Sequence, residues 1–169
     1  MTSLAALNAA DRATFVVAIG FAFERSPWIA EAAWERRPFG SIDALHAALD
    51  DVVRGAPQER QIALIAAHPD LGGRLARTGR LTAASTDEQA SAGLDRLEPE
   101  VIARFDEANA AYRARFGFPF VIAVRRRNQA MILTELERRV SNERADEIAT
   151  ALAEITQIAR LRLEEAVTP

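Results

Sequence analysis

No cysteine and no lysine occur among the 169 residues. Without cysteine there can be no disulfide, thiolate nucleophile or iron–sulfur ligation, and the commonest zinc sites are excluded. Without lysine there is no side-chain Schiff base, so the usual anchor of pyridoxal phosphate is missing, and so is the P-loop amine that reaches nucleotide phosphates. Glycine is scarce at 8, tryptophan at 2 and tyrosine at 1, and the aromatic and β-branched runs that mark sheets are rare. No apolar run approaches the roughly 18 residues of a membrane span. Met1 to Ala10 has no basic start followed by an apolar stretch, and Val167-Thr168-Pro169 is not a peroxisomal address. The net charge of −3 argues against a nucleic-acid partner, which calls for a basic surface. Arg125-Arg126-Arg127 is the single basic cluster and reads as a solvated loop or a helix approach rather than a phosphate reader. The expectation is a cytoplasmic protein with no membrane and no nucleic-acid partner.

What the chain does hold is 49% hydrophobic and 27% charged residues, a globular composition. Alanine, the best helix former, supplies about a fifth of it. Start and stop signals predict an all-α single domain over residues 1–169, a bundle of about seven or eight helices with no significant sheet. Asn8 is expected to cap a helix carrying Phe15, Val16, Ile19 and Phe23. Ser26-Pro27 starts the next, with proline at the first helical position. Ser41 caps a third, with Leu45, Leu49 and Val53 at helical spacing, ended by Gly55. Pro57 opens a fourth, apolar on nearly all sides, that Pro69 stops. Leu71 to Ala84, with three glycines, reads as a loop. Further helices are expected from Ser85 to about Gly93, from Pro99 to Phe116 with Gly117 closing it, from Gln129 to Val140 and from Glu143 to Val167. Phe118-Pro119-Phe120-Val121-Ile122 is the one β-like run.

Few residues can do chemistry. Of the two histidines, His46 lies at the edge of an apolar stripe and reads as a partly buried structural residue. His68 is expected on the last turn of its helix, ahead of Pro69, where the ring could project into a cavity. A structural and a functional role stay equally open for it. Ser85-Thr86-Asp87-Glu88-Gln89 has capping-box spacing, Ser85 to Glu88 and Thr86 to Gln89. It is read either as a well-capped helix start or as a helix N-terminus that binds an anion. On the last helix, at about 100° per residue, Arg162 falls on the stripe of Ile155, Ile158 and Ala159, and Arg160 on the opposite side. A buried arginine needs a partner, either an acid of the protein or an anionic ligand. No dinucleotide fingerprint, paired-histidine zinc helix or calcium loop is present.

Five stretches together carry a resemblance: Ser26-Pro27-Trp28 with Arg37-Pro38-Phe39, Ala67-His68-Pro69-Asp70-Leu71-Gly72, Ser85-Thr86-x-Glu88-Gln89-x-x-Ala92-Gly93-Leu94, Phe116-Gly117-Phe118-Pro119-Phe120, and Leu161-Arg162-Leu163. In this order, over essentially the whole chain, they resemble the 2-oxo-4-hydroxy-4-carboxy-5-ureidoimidazoline (OHCU) decarboxylases. The resemblance implies an all-α enzyme, often a homodimer, that works without cofactor or metal and releases CO2 from a small ureidoimidazoline to give (S)-allantoin in urate breakdown. It places the catalytic histidine on His68; Glu88 and Arg162 are read as its catalytic companions. Substrate binding falls on Pro69, on Ser85, Thr86, Asp87, Glu88 and Gln89, on Phe120, Val121, Ile122, Ala123 and Val124, and on Arg162. Two other readings stay in play: a non-catalytic helical interaction module, and a hydrolase of a related ureide.

Overall fold

The computed structural model describes residues 1–72, 81–125 and 127–169. These form two compact units. One comprises Met1–Ala67 with Ile155–Pro169, the other His68–Glu154. The architecture is all-α, as the composition predicts. Among the described residues the sheet is one parallel pairing of β1 (Thr2–Ser3) with β2 (Val167–Thr168). Among the described residues no helix is long and apolar enough to cross a membrane.

The first unit holds α1 (Leu4–Ala9), α2 (Arg12–Ile19), α3 (Pro27–Ala33), α4 (Ile42–Gly55), α5 (Gln58–Ala66) and the last part of α9 (Arg144–Ala166). Asn8 does not cap α2, contrary to expectation. Asp11 does, accepting from the Thr14 N–H at 2.7 Å. Asn8 sits inside α1 and clamps Phe39 instead, donating to its carbonyl at 2.9 Å and accepting its N–H at 2.8 Å. A short amide satisfies two backbone groups at once there, which a capping position would not allow. The Arg37-Pro38 peptide is cis, and the Arg37 guanidinium stacks on Trp34 and donates to the Asn8 carbonyl at 2.9 Å. Arg37-Pro38-Phe39 is therefore a structural staple. Pro27 opens α3 and Ser41 caps α4 as predicted. α3 packs on both α2 and α4, burying Phe15, Ile19, Ile29, Leu45 and Leu49. Each such side chain contributes about 1.5–3 kcal/mol relative to exposure.

The second unit holds α6 (Ala83–Ser91), α7 (Pro99–Phe116), α8 (Gln129–Arg139) and the start of α9. α7 has proline at its first turn and ends on Gly117, whose φ of 79° needs a residue without a Cβ penalty. α7 packs against α8. Tyr112 lies at the centre of an aromatic cluster, its ring 4.7 Å from Phe116 and 5.4 Å from Phe120. The β-like run after Gly117 forms no strand but is buried throughout. Nine α-helices stand among the described residues. The chain leaves α1 at Ala10 and restarts at the Asp11 cap, which makes the N-terminal region two helices.

Candidate active site

His68 lies beyond its helix. α5 ends at Ala66, and Ala67 supplies the cap, so the break falls earlier than the last-turn position expected of His68. A proline disfavours helical backbone in the residue before it, and here that residue is His68. α5 is apolar on nearly all sides only from Ile62 onward: its first turn, Gln58-Glu59-Arg60, is polar and exposed, while Leu64 and Ile65 are buried. His68 is nevertheless 93% buried, since its exposure is 7%.

The segment that follows is fastened at every step. Asp70, itself buried, accepts the Arg113 guanidinium, Nε to Oδ1 at 3.0 Å and Nη2 to Oδ1 at 2.9 Å. Gln89 donates from Nε2 to the Asp70 carbonyl at 3.1 Å and accepts the Gly72 N–H on Oε1 at 3.4 Å. Asn109 donates to the Leu71 carbonyl at 3.0 Å. Gly72 has a φ of 68°, and a Cβ there would meet the Phe105 ring at 3.0 Å. One amide side chain, Gln89, thus holds Asp70 to Gly72 against α6.

On α6 the predicted capping box is not formed. The helix starts two residues earlier, at Ala83, with Thr82 as its cap. Ser85 occupies the third helical position and gives its N–H to Thr82 Oγ1 at 3.3 Å, and the Thr86 N–H goes to the Thr82 carbonyl at 2.9 Å. Those amides are consumed internally, so the expected anion site at the Ser85 and Thr86 N–H groups is not there. The five residues divide by helical spacing. Ser85, Glu88 and Gln89 are buried, whereas Thr86 and Asp87 are exposed.

The Phe120 to Val124 segment is held along alternate residues. Arg139 donates from Nη1 to the Val121 carbonyl at 2.9 Å. It pairs with Glu147, Nε to Oε1 at 2.9 Å, both side chains being fully buried. Tyr112 donates its hydroxyl to the same carboxylate, and Asn142 adds a bond of 2.7 Å. Burial, reinforced by the Glu147 bond, pushes the Tyr112 phenol far above its ordinary value. Further along, Glu154 accepts the Ala123 N–H at 2.8 Å, and Arg127 donates to the Ala123 carbonyl at 2.6 Å and to Glu154 at 2.9 Å. Arg127, directly ahead of the Asn128 cap of α8, is therefore the helix approach of the two readings, and it is tied down rather than solvated. Arg126, the middle of that run, lies outside the described residues.

In the first unit, Arg162 is buried on the stripe that the spacing assigned to it, 3.5 Å from the buried Glu24 and 3.1 Å from the Phe21 carbonyl. Arg160 lies on the other side, paired with Asp43 and Glu164. His46 bonds the Thr156 carbonyl at 3.0 Å from half-buried surroundings, the structural role expected. Sequence reasoning missed the residues that hold the segments in place, Asp70, Asn109, Arg113, Arg139 and Glu147. Arg139 was findable, since it falls seven residues after Ile132 and three after Leu136, on the buried face of α8. Among the described residues no three His, Asp or Glu side chains gather as a metal site would require.

Comparison with known proteins adds a family. The profile described as OHCU decarboxylase matches residues 8–164. The chain is 45% identical over 163 residues to the 2-oxo-4-hydroxy-4-carboxy-5-ureidoimidazoline decarboxylase of Halalkalicoccus jeotgali, covering 96% of this chain and 90% of that protein. It is 42% identical over 157 residues to the protein of the same name from Bos taurus, covering 93% and 92%. Among solved structures, an (S)-allantoin synthase superposes with a TM-score of 0.81 at 26% identity, over 99% of this chain and 54% of that one. An OHCU decarboxylase crystallised in the presence of (S)-allantoin shares the fold, with a TM-score of 0.70 at 22% identity, over 92% and 97%.

Proposed function

The chain belongs to the OHCU decarboxylase family, and on that premise we propose that it converts 2-oxo-4-hydroxy-4-carboxy-5-ureidoimidazoline to (S)-allantoin and CO2. It is a carbon–carbon lyase of urate degradation. The observation that carries this is the 45% identity sustained over 96% of the chain. The family profile runs unbroken from residue 8 to 164, through both compact units, which supports reading them as one family domain.

The chemistry explains why so few reactive side chains suffice. Breaking the carbon–carbon bond to the carboxylate releases CO2 and leaves an electron pair on the ring carbon. The adjacent C=N of the substrate takes that pair and its nitrogen takes a proton. The neighbouring hydroxyl then gives up its proton as it becomes a carbonyl, and one proton is delivered to one face of the ring. The substrate is its own electron sink, so we read the enzyme as independent of metal or cofactor. His68 is the acid–base group that takes the hydroxyl proton and supplies the new one. Its burial next to Pro69 supports this, because a dry site strengthens proton transfer along a fixed direction. Glu88, buried on the inner face of α6 with Ser85 and Gln89, sets the charge state of His68. Pro69, Gln89 and the Phe120 to Val124 backbone bind the ring and ureido edges. The exposure of Thr86 and Asp87 leaves them a peripheral part. Arg162 is assigned anion capture, on the strength of the resemblance and of its burial.

We also read the enzyme as a cytoplasmic homodimer, in keeping with the family resemblance. The deciding assay uses freshly generated ureidoimidazoline followed by circular dichroism with and without the protein. Spontaneous decay yields racemic allantoin. Turnover should build a single-handed signal with release of CO2, and an unchanged racemic trace would end the reading.

A further inference from the structure

Arg127, at the approach to α8, closes a small clamp. Glu154 Oε2 accepts the Ala123 N–H at 2.8 Å, Arg127 Nη1 donates to the Ala123 carbonyl at 2.6 Å, and the two side chains bond each other at 2.9 Å and 3.3 Å. Both peptide groups of one residue are thereby fixed. Two residues back, the Val121 carbonyl is fixed by Arg139. Ile122 lies between the two ties, and among the described residues neither its N–H nor its carbonyl takes part in any hydrogen bond, although the residue is buried. In an extended run successive residues turn their N–H and C=O to opposite edges. The bonds to the Val121 carbonyl and to both groups of Ala123 leave those of Ile122 untaken. Buried backbone groups are rarely left without partners, so a donor–acceptor pair held unsatisfied suits a ligand that offers the complementary pair, as a ureido group does.

We propose that Arg127 and Glu154 are positioning residues for the decarboxylation, setting the direction in which the Phe120 to Val124 backbone meets the substrate. This rests on the decarboxylase reading and on that segment as substrate contact. Two features separate positioning from simple support. The Arg127 side chain is 33% exposed and that of Glu154 19%, so the pair is only partly buried and stands outside the apolar core. Their bonds go to the backbone of the segment itself, so losing them frees a peptide unit and leaves no cavity in the core.

The test uses the full chain with Glu154→Ala, Glu154→Gln, Arg127→Ala and the Ala/Ala double variant. Glu154→Ala should raise KM about tenfold while kcat stays within about threefold. Its thermal midpoint should stay within about 3 °C of wild type. Glu154→Gln keeps an oxygen for the Ala123 N–H and should recover a KM within about threefold of wild type. The double variant should be no worse than the poorer single, since both act on one peptide. An amide NMR titration with (S)-allantoin should shift Ile122 in the wild type and shift it less in Glu154→Ala. Unchanged KM in folded Glu154→Ala and Arg127→Ala overturns the proposal. So does a Glu154→Gln variant as impaired as Glu154→Ala, or unfolding of both alanine variants, which would make the pair structural. A wild-type chain that turns nothing over removes the decarboxylase reading and the clamp with it. An active wild type beside unaffected variants removes the clamp alone.

Discussion

His68 and Arg162 were picked from sequence by different arguments, and that difference explains what the sequence could show. Arg162 follows from periodicity: a charge on a buried stripe is visible as soon as the helix is, and its burial is found where the spacing put it. His68 stands out as one of two histidines, but nothing local shows that it lies beyond the last turn, because the helix stops short of Pro69. The partners that fix its neighbourhood, Gln89, Asn109 and Arg113, come from two other helices and carry no local mark. The consequences can be measured singly. His68→Asn, which keeps the size of the side chain but cannot exchange a proton, should lower kcat about 100-fold in the dichroism assay; near-normal turnover would remove it from the reaction. Arg162→Ala should raise KM more than it lowers kcat, and an unchanged KM would make the Glu24 contact its whole purpose. Gly72→Ala should destabilise the fold, because a Cβ at φ 68° meets the Phe105 ring at 3.0 Å; a cost of about 1–3 kcal/mol in urea unfolding is expected.

Elements were legible to within a residue or two wherever a proline or glycine marked them, as at Pro27, Pro99 and Gly117. They were misplaced where two capping residues competed. Asp11 outcompeted Asn8 for α2, and Thr82 outcompeted Ser85 for α6; capping chemistry ranks Asn and Asp alike and would place Ser slightly ahead of Thr, so it decides neither case. The α6 cap matters beyond the helix itself. It sets the rotation that turns Ser85, Glu88 and Gln89 inward and Thr86 and Asp87 outward. Thr82→Ala should cost about 1 kcal/mol, lowering the thermal midpoint by about 2–4 °C; no change would mean the helix is fixed by packing alone. The α2 cap should respond to pH. The Thr14 backbone and side-chain bonds hold the Asp11 carboxyl below its ordinary 3.8. A lowered folded value means that its stabilisation is complete above the ordinary value and is lost as pH falls through the lowered one. Asp11→Asn, which caps without titrating, should therefore lose less stability than wild type on acidification through that range, as read from melts at stepped pH.

For the whole molecule, sequence order is a poor guide to which residues cooperate. The unit begun by Met1–Ala67 contains Ile155–Pro169, which supply the buried Ile158, Ala159, Leu163 and Val167 and the strand that pairs with Thr2–Ser3. Nothing local announces that pairing; two residues on each side are too few to give a period. The other unit depends on a buried ion pair whose halves sit on separate helices, Arg139 and Glu147, joined by the Tyr112 hydroxyl. Breaking such a pair from one side leaves an uncompensated charge, whereas replacing both halves by apolar groups removes the desolvation cost as well. Glu147→Leu alone should thus cost about 3–5 kcal/mol, and the Arg139→Met/Glu147→Leu pair should recover part of it. Recovery of stability need not restore turnover, because the Val121 carbonyl would still lack its donor. A double variant that regains its melting temperature yet keeps a raised KM would separate the two tasks of Arg139, balancing Glu147 and aiming the segment. If the double variant regained both together, the guanidinium would be serving charge balance alone.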